Sequence, residues 1–345
     1  MKAVVLPGNR EVRVEERETP RPGPGEVLVA TRASAICRSD MGLYTGTSAI
    51  VGGEQAGTGL IVPGHEPAGV ITEVGEGVAG LAVGDRVAAH LALGCGRCEY
   101  CTSGYLMLCP HWTCLGFDVD GGDADSFVLP ARNALPLPDE VSFVAGALMT
   151  DMVGSQYHTQ KVLGVRGGQT VAVVGLGPMG AAAVLVARAL GAEVIAVDLL
   201  PERLELAASL GAGLTVDSRA ENAVEAVREA TGGRGVEVAI DCSGAPAGQN
   251  LALDAAAKHG RVAFVGESRA TEINPSDQII RKLLTVVGGW YFPLYEWSEI
   301  VRLVVGSKLP VEDLVTHRFD IDDAPTAFAM FDRRETEKAV FTWQD

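Results

Sequence analysis

Apolar residues fall in two rhythms along this chain. Over roughly the first 150 residues they come in short β-branched runs, such as Glu26-Val27-Leu28-Val29 and Gly69-Val70-Ile71-Thr72-Glu73-Val74. Turn signals part these runs, among them Pro22-Gly23-Pro24-Gly25, Val83-Gly84-Asp85 and Leu137-Pro138-Asp139. Short strands between Gly and Pro turns predict a mostly β domain. Further on, strand-like and helix-like runs alternate. Strands are expected over residues 170–174, 193–197, 214–216, 236–240, 261–265 and 283–287. Helices are expected from a glycine turn to Leu190 and over residues 201–210, 219–230 and 247–258. This alternation predicts an α/β fold with a doubly wound parallel sheet. From about Gly289 the rhythm breaks again. The aromatic run Trp290-Tyr291-Phe292 leads to two helices, over residues 296–305 and 324–332, and a terminal strand at 338–341.

A length of 345 residues suits two domains, each with its own core. The net charge of −16 argues against nucleic-acid and anionic-membrane partners, whose binders are basic. No apolar run reaches the ~18 residues that span a bilayer. The opening apolar stretch meets Pro7-Gly8 too soon for a secretion signal, so a cytoplasmic enzyme of small molecules is expected. Seven cysteines, four of them within 15 residues, make a poor disulfide framework and point to metal.

Gly175-Leu176-Gly177-Pro178-Met179-Gly180 fits G-x-G-x-x-G, and it follows a predicted strand and opens a helix. The first glycine permits a tight turn, the second lets backbone approach a pyrophosphate, and the third lets helix pack on strand. Asp198 lies 18 residues past the last glycine, at the end of the next strand, where a carboxylate can accept a ribose diol and repel a 2′-phosphate. That repulsion, at about 4 kcal/mol, predicts a preference for NAD of roughly 10³-fold. The bland alternative is a glycine-rich βα turn beside a surface aspartate.

Cys95-x2-Cys98-x2-Cys101-x7-Cys109 sets four thiolates where they can surround one tetrahedral ion. Bacterial iron–sulfur runs close with a spacing of three before Cys-Pro; here it is seven, although Pro110 does follow. An all-sulfur set leaves no open position, so this zinc reads as structural. Cys37 in Cys37-Arg38-Ser39-Asp40 and His65 in Gly64-His65-Glu66 would supply two ligands to a second metal. Taken singly, each reads more readily as a core residue than as a ligand.

In order along nearly the whole chain, Cys37-Arg38-Ser39-Asp40, Gly64-His65-Glu66, the four-cysteine lobe, Gly84-Asp85-Arg86-Val87, the glycine turn and Asp198 resemble the medium-chain, zinc-dependent alcohol dehydrogenase family. The resemblance implies a GroES-like β-rich catalytic domain from residues 1–151 and 289–345, with a structural zinc lobe at about 93–112, and an NAD-binding Rossmann domain over 152–288. It implies that Cys37 and His65 bind a catalytic zinc, and that Ser39 relays the alcohol proton. Asp40 would orient the histidine. Arg38 would meet the cofactor pyrophosphate, Arg203 would lie near the adenine, and Glu66 would be a carboxylate able to enter the zinc's shell. The third ligand varies within the family. In Met149-Thr150-Asp151-Met152 the resemblance points to Asp151, whose other reading is a cap on the helix that follows.

The function implied is hydride transfer from a secondary alcohol, polyols and sugars included, to NAD, with two zinc ions per chain and a homodimeric or homotetrameric assembly. L-threonine 3-dehydrogenase-like oxidation is the nearest alternative, and a non-catalytic zinc-binding relative is the alternative of another class. Quinone and enoyl reductases share the fold but lack zinc. Residues 40–64, with Tyr44 and Ser48, would line the substrate entrance by the same resemblance. Cys114, Cys242 and His111 read as bystanders.

Overall fold

Backbone contacts gather the chain into two units: Met1–Asp151 with Pro293–Val305 and Glu312–Asp345, and Met152–Phe292 with Gly306–Val311. The computed structural model describes residues 1–47, 61–219 and 222–344. Ser48 and most of the proposed entrance segment lie outside the described residues.

The second unit is built on six parallel strands. Their spatial order is Leu214–Asp217, Glu193–Asp198, Thr170–Val174, Val236–Asp241, Ala256–Phe264 and Thr285–Gly288. In chain order that is 3-2-1-4-5-6, the arrangement of dinucleotide-binding sheets, whose strand order reverses beside the first strand. The central strands are mostly apolar because helices cover both faces of a parallel sheet. In helix Pro178–Ala189 all eight residues from Gly180 to Ala187 are buried, and Gly180 lies so near the carbonyl of Gly175 that a Cβ would overlap it.

Two expectations need correction here. The fifth strand starts at Ala256 rather than 261, and the preceding helix ends at Ala255 rather than 258. Gly235 lies against Ala255–Ala257, the pairing with Val236 is irregular, and His259 sits at φ 59° with its N–H on the carbonyl of Lys282. Backbone partners therefore override the helical pattern of the sequence. The run Trp290-Tyr291-Phe292 groups with the second unit, and the chain returns to the first at Pro293 rather than Gly289. The N–H of Gly289 bonds to Phe264 O and extends the sheet edge past the last strand.

The first unit centres on a seven-stranded mixed sheet in the order Val315–Phe319, Lys338–Thr342, Glu26–Ile36, Pro67–Val74, Arg86–Ala89 and Ala134–Pro136, with Ser126–Pro130 also paired to Glu26–Ile36. Strand Glu26–Ile36 is the hub. It pairs with three neighbours and ends one residue before Cys37. The C-terminal strand Lys338–Thr342 docks on it antiparallel, with Ala339 opposite Ile36. A two-stranded ribbon, Ala92–Leu93 with Thr113–Cys114, carries the cysteine lobe at its tip. No helix among the described residues is long and apolar enough to cross a membrane.

Candidate metal centres and dinucleotide turn

The hub strand delivers Cys37, and the turn before strand Pro67–Val74 delivers His65 and Glu66. Gly64 has φ 97°, and a Cβ there would overlap Asp123, so only glycine fits ahead of His65. Asp151 arrives from a single π turn, Met149–Val153, between helices Phe143–Leu148 and Gly154–Val162. The helix after it has Val153 at its N-cap, with no side-chain cap bond. That disposes of the capping role for Asp151. Wide turns of this kind often mark functional positions, because they turn one side chain out of helical register.

Ligand atoms of Cys37, His65, Glu66 and Asp151 all lie within 4.8 Å of one another. Asp151 Oδ2 is 3.8 Å from Cys37 Sγ and 3.9 Å from His65 Nε2. A tetrahedron with bonds of about 2.0–2.3 Å has edges of about 3.3–3.8 Å, so the three donors are spaced to share one zinc after small adjustments. Asp40, fully buried, ties two of them together. Its Oδ1 lies 3.1 Å from His65 Nδ1, and its Oδ2 accepts the Cys37 N–H at 2.8 Å. An Nδ1–H donated to Asp40 leaves the Nε2 lone pair for a metal. In the metal-free protein, burial disfavours the imidazolium. The Asp40 carboxylate with its hydrogen bond, and the neighbouring Cys37, together outweigh that and hold the His65 pKa well above its ordinary value. Ser39 Oγ stands 3.4 Å from His65 Nε2 and makes no cap bond to the helix it precedes. The ring of Phe117 packs 5.1 Å from that of His65 and walls the site with apolar surface. Arg38 is exposed.

Glu66 is fully buried and bonded to a residue the sequence reading missed: Lys338 Nζ lies 2.6 Å from its Oε1. Burial pushes the Glu66 carboxyl up to about 7 against the opposing pull of Lys338. A lysine heading the apolar run Ala339-Val340-Phe341 was the available signal.

The sulfurs of Cys95, Cys98, Cys101 and Cys109 also lie within 4.8 Å of one another, with Cys95 and Cys101 4.0 Å apart. The amides of Cys95 and His111 donate to Cys109 Sγ at 3.3 and 3.4 Å. Backbone donors aimed at sulfur favour thiolate over thiol. Amides of Arg97 and Cys98 likewise push Cys95 down to about 6. His111 thus contributes through its amide. Cys114 is buried and Cys242 half-buried, desolvation raises the pKa of both thiols, and Cys242 accepts from Gln156 Nε2 at 3.4 Å.

In the second unit the three glycines behave as the pattern requires. Gly175 has φ 86° and would strike Ser243 with a Cβ; Gly177 caps the helix; a Cβ on Gly180 would overlap the carbonyl of Gly175. Pro178 opens the helix and Met179 follows it. Asp198 accepts three backbone N–H groups, from Leu176 at 2.6 Å, Leu199 at 2.7 Å and Leu200 at 3.0 Å. The carboxylate therefore braces the glycine turn against the second strand. Arg203 Nη1 lies 3.9 Å from Asp198 Oδ2 and beside Gly177, closer to the acid than the sequence alone suggested.

Residues 23–139 match the family model described as alcohol dehydrogenase GroES-like domain, and residues 178–306 match that of zinc-binding dehydrogenase. An uncharacterized zinc-type alcohol dehydrogenase-like protein of Escherichia coli is 33% identical, over 100% of this chain and 99% of its own. The L-threonine 3-dehydrogenase of Pyrococcus furiosus is 34% identical, over 94% of this chain and 93% of its own. Among solved structures, an alcohol dehydrogenase from Thermus sp. ATN1 superimposes with a TM-score of 0.92 at 31% identity, with both chains fully covered.

Proposed function

The chain belongs to the zinc-binding dehydrogenases of the alcohol dehydrogenase family, and from that premise we propose that it oxidises a secondary alcohol to a ketone with NAD, using two zinc ions per chain. The observation that carries this reading is the set of Cys37, His65 and Asp151, with Asp40 behind the histidine and the Ser39 hydroxyl in front of it. Three mixed protein donors suit a catalytic zinc that keeps one position for substrate, and four thiolates suit a closed structural one. When bound, zinc would supply Lewis acidity to the hydroxyl, and the nicotinamide would supply the hydride acceptor.

The chain's own groups do the remainder. The reaction removes a proton from the hydroxyl and a hydride from the carbinol carbon. Ser39 takes the proton and passes it outward. Asp40 keeps His65 in the tautomer that leaves Nε2 free. Phe117 keeps water off that side of the ring. Asp198 and the glycine turn would hold the adenosine ribose and the pyrophosphate, with Arg38 and Arg203 as further cationic contacts.

The 34% identity to an L-threonine 3-dehydrogenase supports a second reading, in which the secondary hydroxyl is that of L-threonine. Purified protein should be given NAD with a panel of simple secondary alcohols, vicinal diols, polyols and L-threonine, with NADH absorbance as readout. Turnover of secondary alcohols and diols above L-threonine supports the first reading, and the reverse order supports the second. No NADH from any member of the panel, with metal present, would favour a non-catalytic relative.

A further inference from the structure

The parallel sheet has a second end, opposite the one that bears the glycine turn. Strands Thr170–Val174 and Val236–Asp241 and the regular part of Ala256–Phe264 all begin there, and the segments leading into them surround a cavity of about 500 Å³. Its walls carry Arg166, Arg234, Lys258, His259 and Arg261, with Glu237 as the one acid among the described residues. That acid is already engaged, since its Oε2 accepts the Thr170 N–H at 2.9 Å. Among the described residues none of the five basic side chains makes an ion pair. Arg261 donates to the carbonyls of Leu163 and Gly164, and Arg234 to that of Thr231 at 3.3 Å.

Such a cluster is unexpected in this composition. Aspartate and glutamate number 44 against 28 lysines and arginines, so acids are abundant, yet four permanent cations here face one carboxylate. Like charges gathered in a concave site repel one another. Burial and the neighbouring Arg166 both push the Arg261 pKa down. The backbone holds the cations in place all the same. Arg234 sits between Gly233 and Gly235, at φ 81° and 86°. His259 keeps φ 59° with its N–H on the carbonyl of Lys282, and the irregular opening of its strand sets Lys258 and His259 on the cavity wall. Non-glycine residues held in the left-handed region concentrate at ligand clamps and similar sites.

We propose that this cavity is a second ligand site, for a small anion carrying two or more phosphoryl groups. Four permanent cations against one carboxylate leave an excess of three positive charges, which one orthophosphate would not neutralise. Arginine forks grip phosphate oxygens two at a time, and lysine adds a point charge. The volume lies within the roughly 300–1,000 Å³ of small-molecule sites. The overall charge of −16 repels long polyanions such as nucleic acid, so the attraction is local to the cavity. Lying at the strand ends away from the glycine turn, the site leaves that turn free for NAD.

Equilibrium dialysis of the full zinc-loaded chain against radiolabelled inorganic pyrophosphate tests this, because it counts only anion held by protein. NAD is present to occupy the glycine turn, and salt is set at about 0.1 M. One pyrophosphate per chain should bind, at least ~10-fold more tightly than orthophosphate, and more weakly as salt is raised. Arg166→Ser, Arg234→Ser and Lys258→Ser, at three exposed positions, should each weaken binding about 10-fold or more, as for a lost charge-assisted contact. Three separate variants keep the test open if one fails to fold. Arg302→Ser, at an exposed arginine of the other unit, should bind as wild type does. ADP in place of pyrophosphate separates the sources of this chemistry. Tighter binding that the same variants lose identifies a nucleotide, and weaker binding identifies a diphosphate of another kind. The proposal is overturned if pyrophosphate does not bind with NAD present, or if its binding survives all three substitutions. It is also overturned by an oligoglutamate peptide that binds more tightly than pyrophosphate and is lost in the same variants, which would make the cavity a site for acidic peptide.

Discussion

Replacing Asp198 with asparagine keeps its shape and removes its charge, and two consequences follow from its bonds. Oδ1 accepts from Leu199 and Leu200, and Oδ2 accepts from Leu176 at 2.6 Å. An amide can place its one oxygen at only one of these positions. With oxygen toward Leu199 and Leu200, its NH₂ faces the Leu176 N–H, donor against donor. Leu176 is 1% exposed, so that N–H cannot turn to water. Losing a charge-assisted bond and stranding a buried donor should destabilise by about 2–3 kcal/mol. At roughly 2–4 °C per kcal/mol, the melting temperature of that unit should fall by about 4–12 °C, read by calorimetry. The second consequence concerns the cofactor. The like-charge argument from Asp198 alone gives roughly 10³-fold preference for NAD. Arg203 stands 3.9 Å from the acid and offsets part of its charge toward a phosphate, so about 10–100-fold is expected for the wild type. Asp198→Asn should bring the ratio of kcat/KM values near one, and Arg203→Ala should raise it. An unshifted melting temperature would refute the bracing argument. A ratio unmoved by both substitutions would remove Asp198 from the ribose site.

Asp151→Asn should lower both metal content and turnover at the Cys37 centre, and full content with full rate would leave Glu66 as the next donor to test. Ser39→Ala should keep both metals and slow turnover by roughly 10²-fold or more, as for lost general acid–base steps; an unchanged rate would assign the proton to water. Zinc uptake by the metal-free protein should depend on pH. Asp40 and Cys37 hold His65 protonated above its ordinary range, and binding must expel that proton, so affinity at the Cys37 centre rises with pH below the raised pKa. Competition with a chromophoric chelator should show a gain of at least about tenfold per pH unit below that point, and a flat profile would contradict it.

What the sequence showed and what it hid divide by distance along the chain. The cysteine lobe and the glycine turn are written within short windows, and their chemistry is readable from spacing. Cys37, His65 and Asp151 are scattered, and a resemblance rather than periodicity joined them; the π turn that presents Asp151 leaves no mark in the apolar pattern. Lys338 is 272 residues from its partner, and only strand pairing across the hub brings them together. The three amides on Asp198 were hidden because backbone donors carry no sequence signal. The early start of strand Ala256–Phe264 was hidden for a related reason. Ala256 and Ala257 favour helix by propensity, and backbone pairing beside Gly235 overrides it. The aromatic run at Trp290 misled because a change of composition precedes the change of unit by a few residues.

Metal analysis of freshly purified protein, repeated after brief dialysis against a chelator, tests the central claim most directly. Two zinc ions per chain are expected. The ion at Cys37, His65 and Asp151 should leave first, and alcohol-dependent NADH formation should fall in proportion to its loss and return when zinc is restored. The four-thiolate ion should stay until the lobe unfolds. A protein that reduces NAD at full rate with one zinc or none would contradict the account.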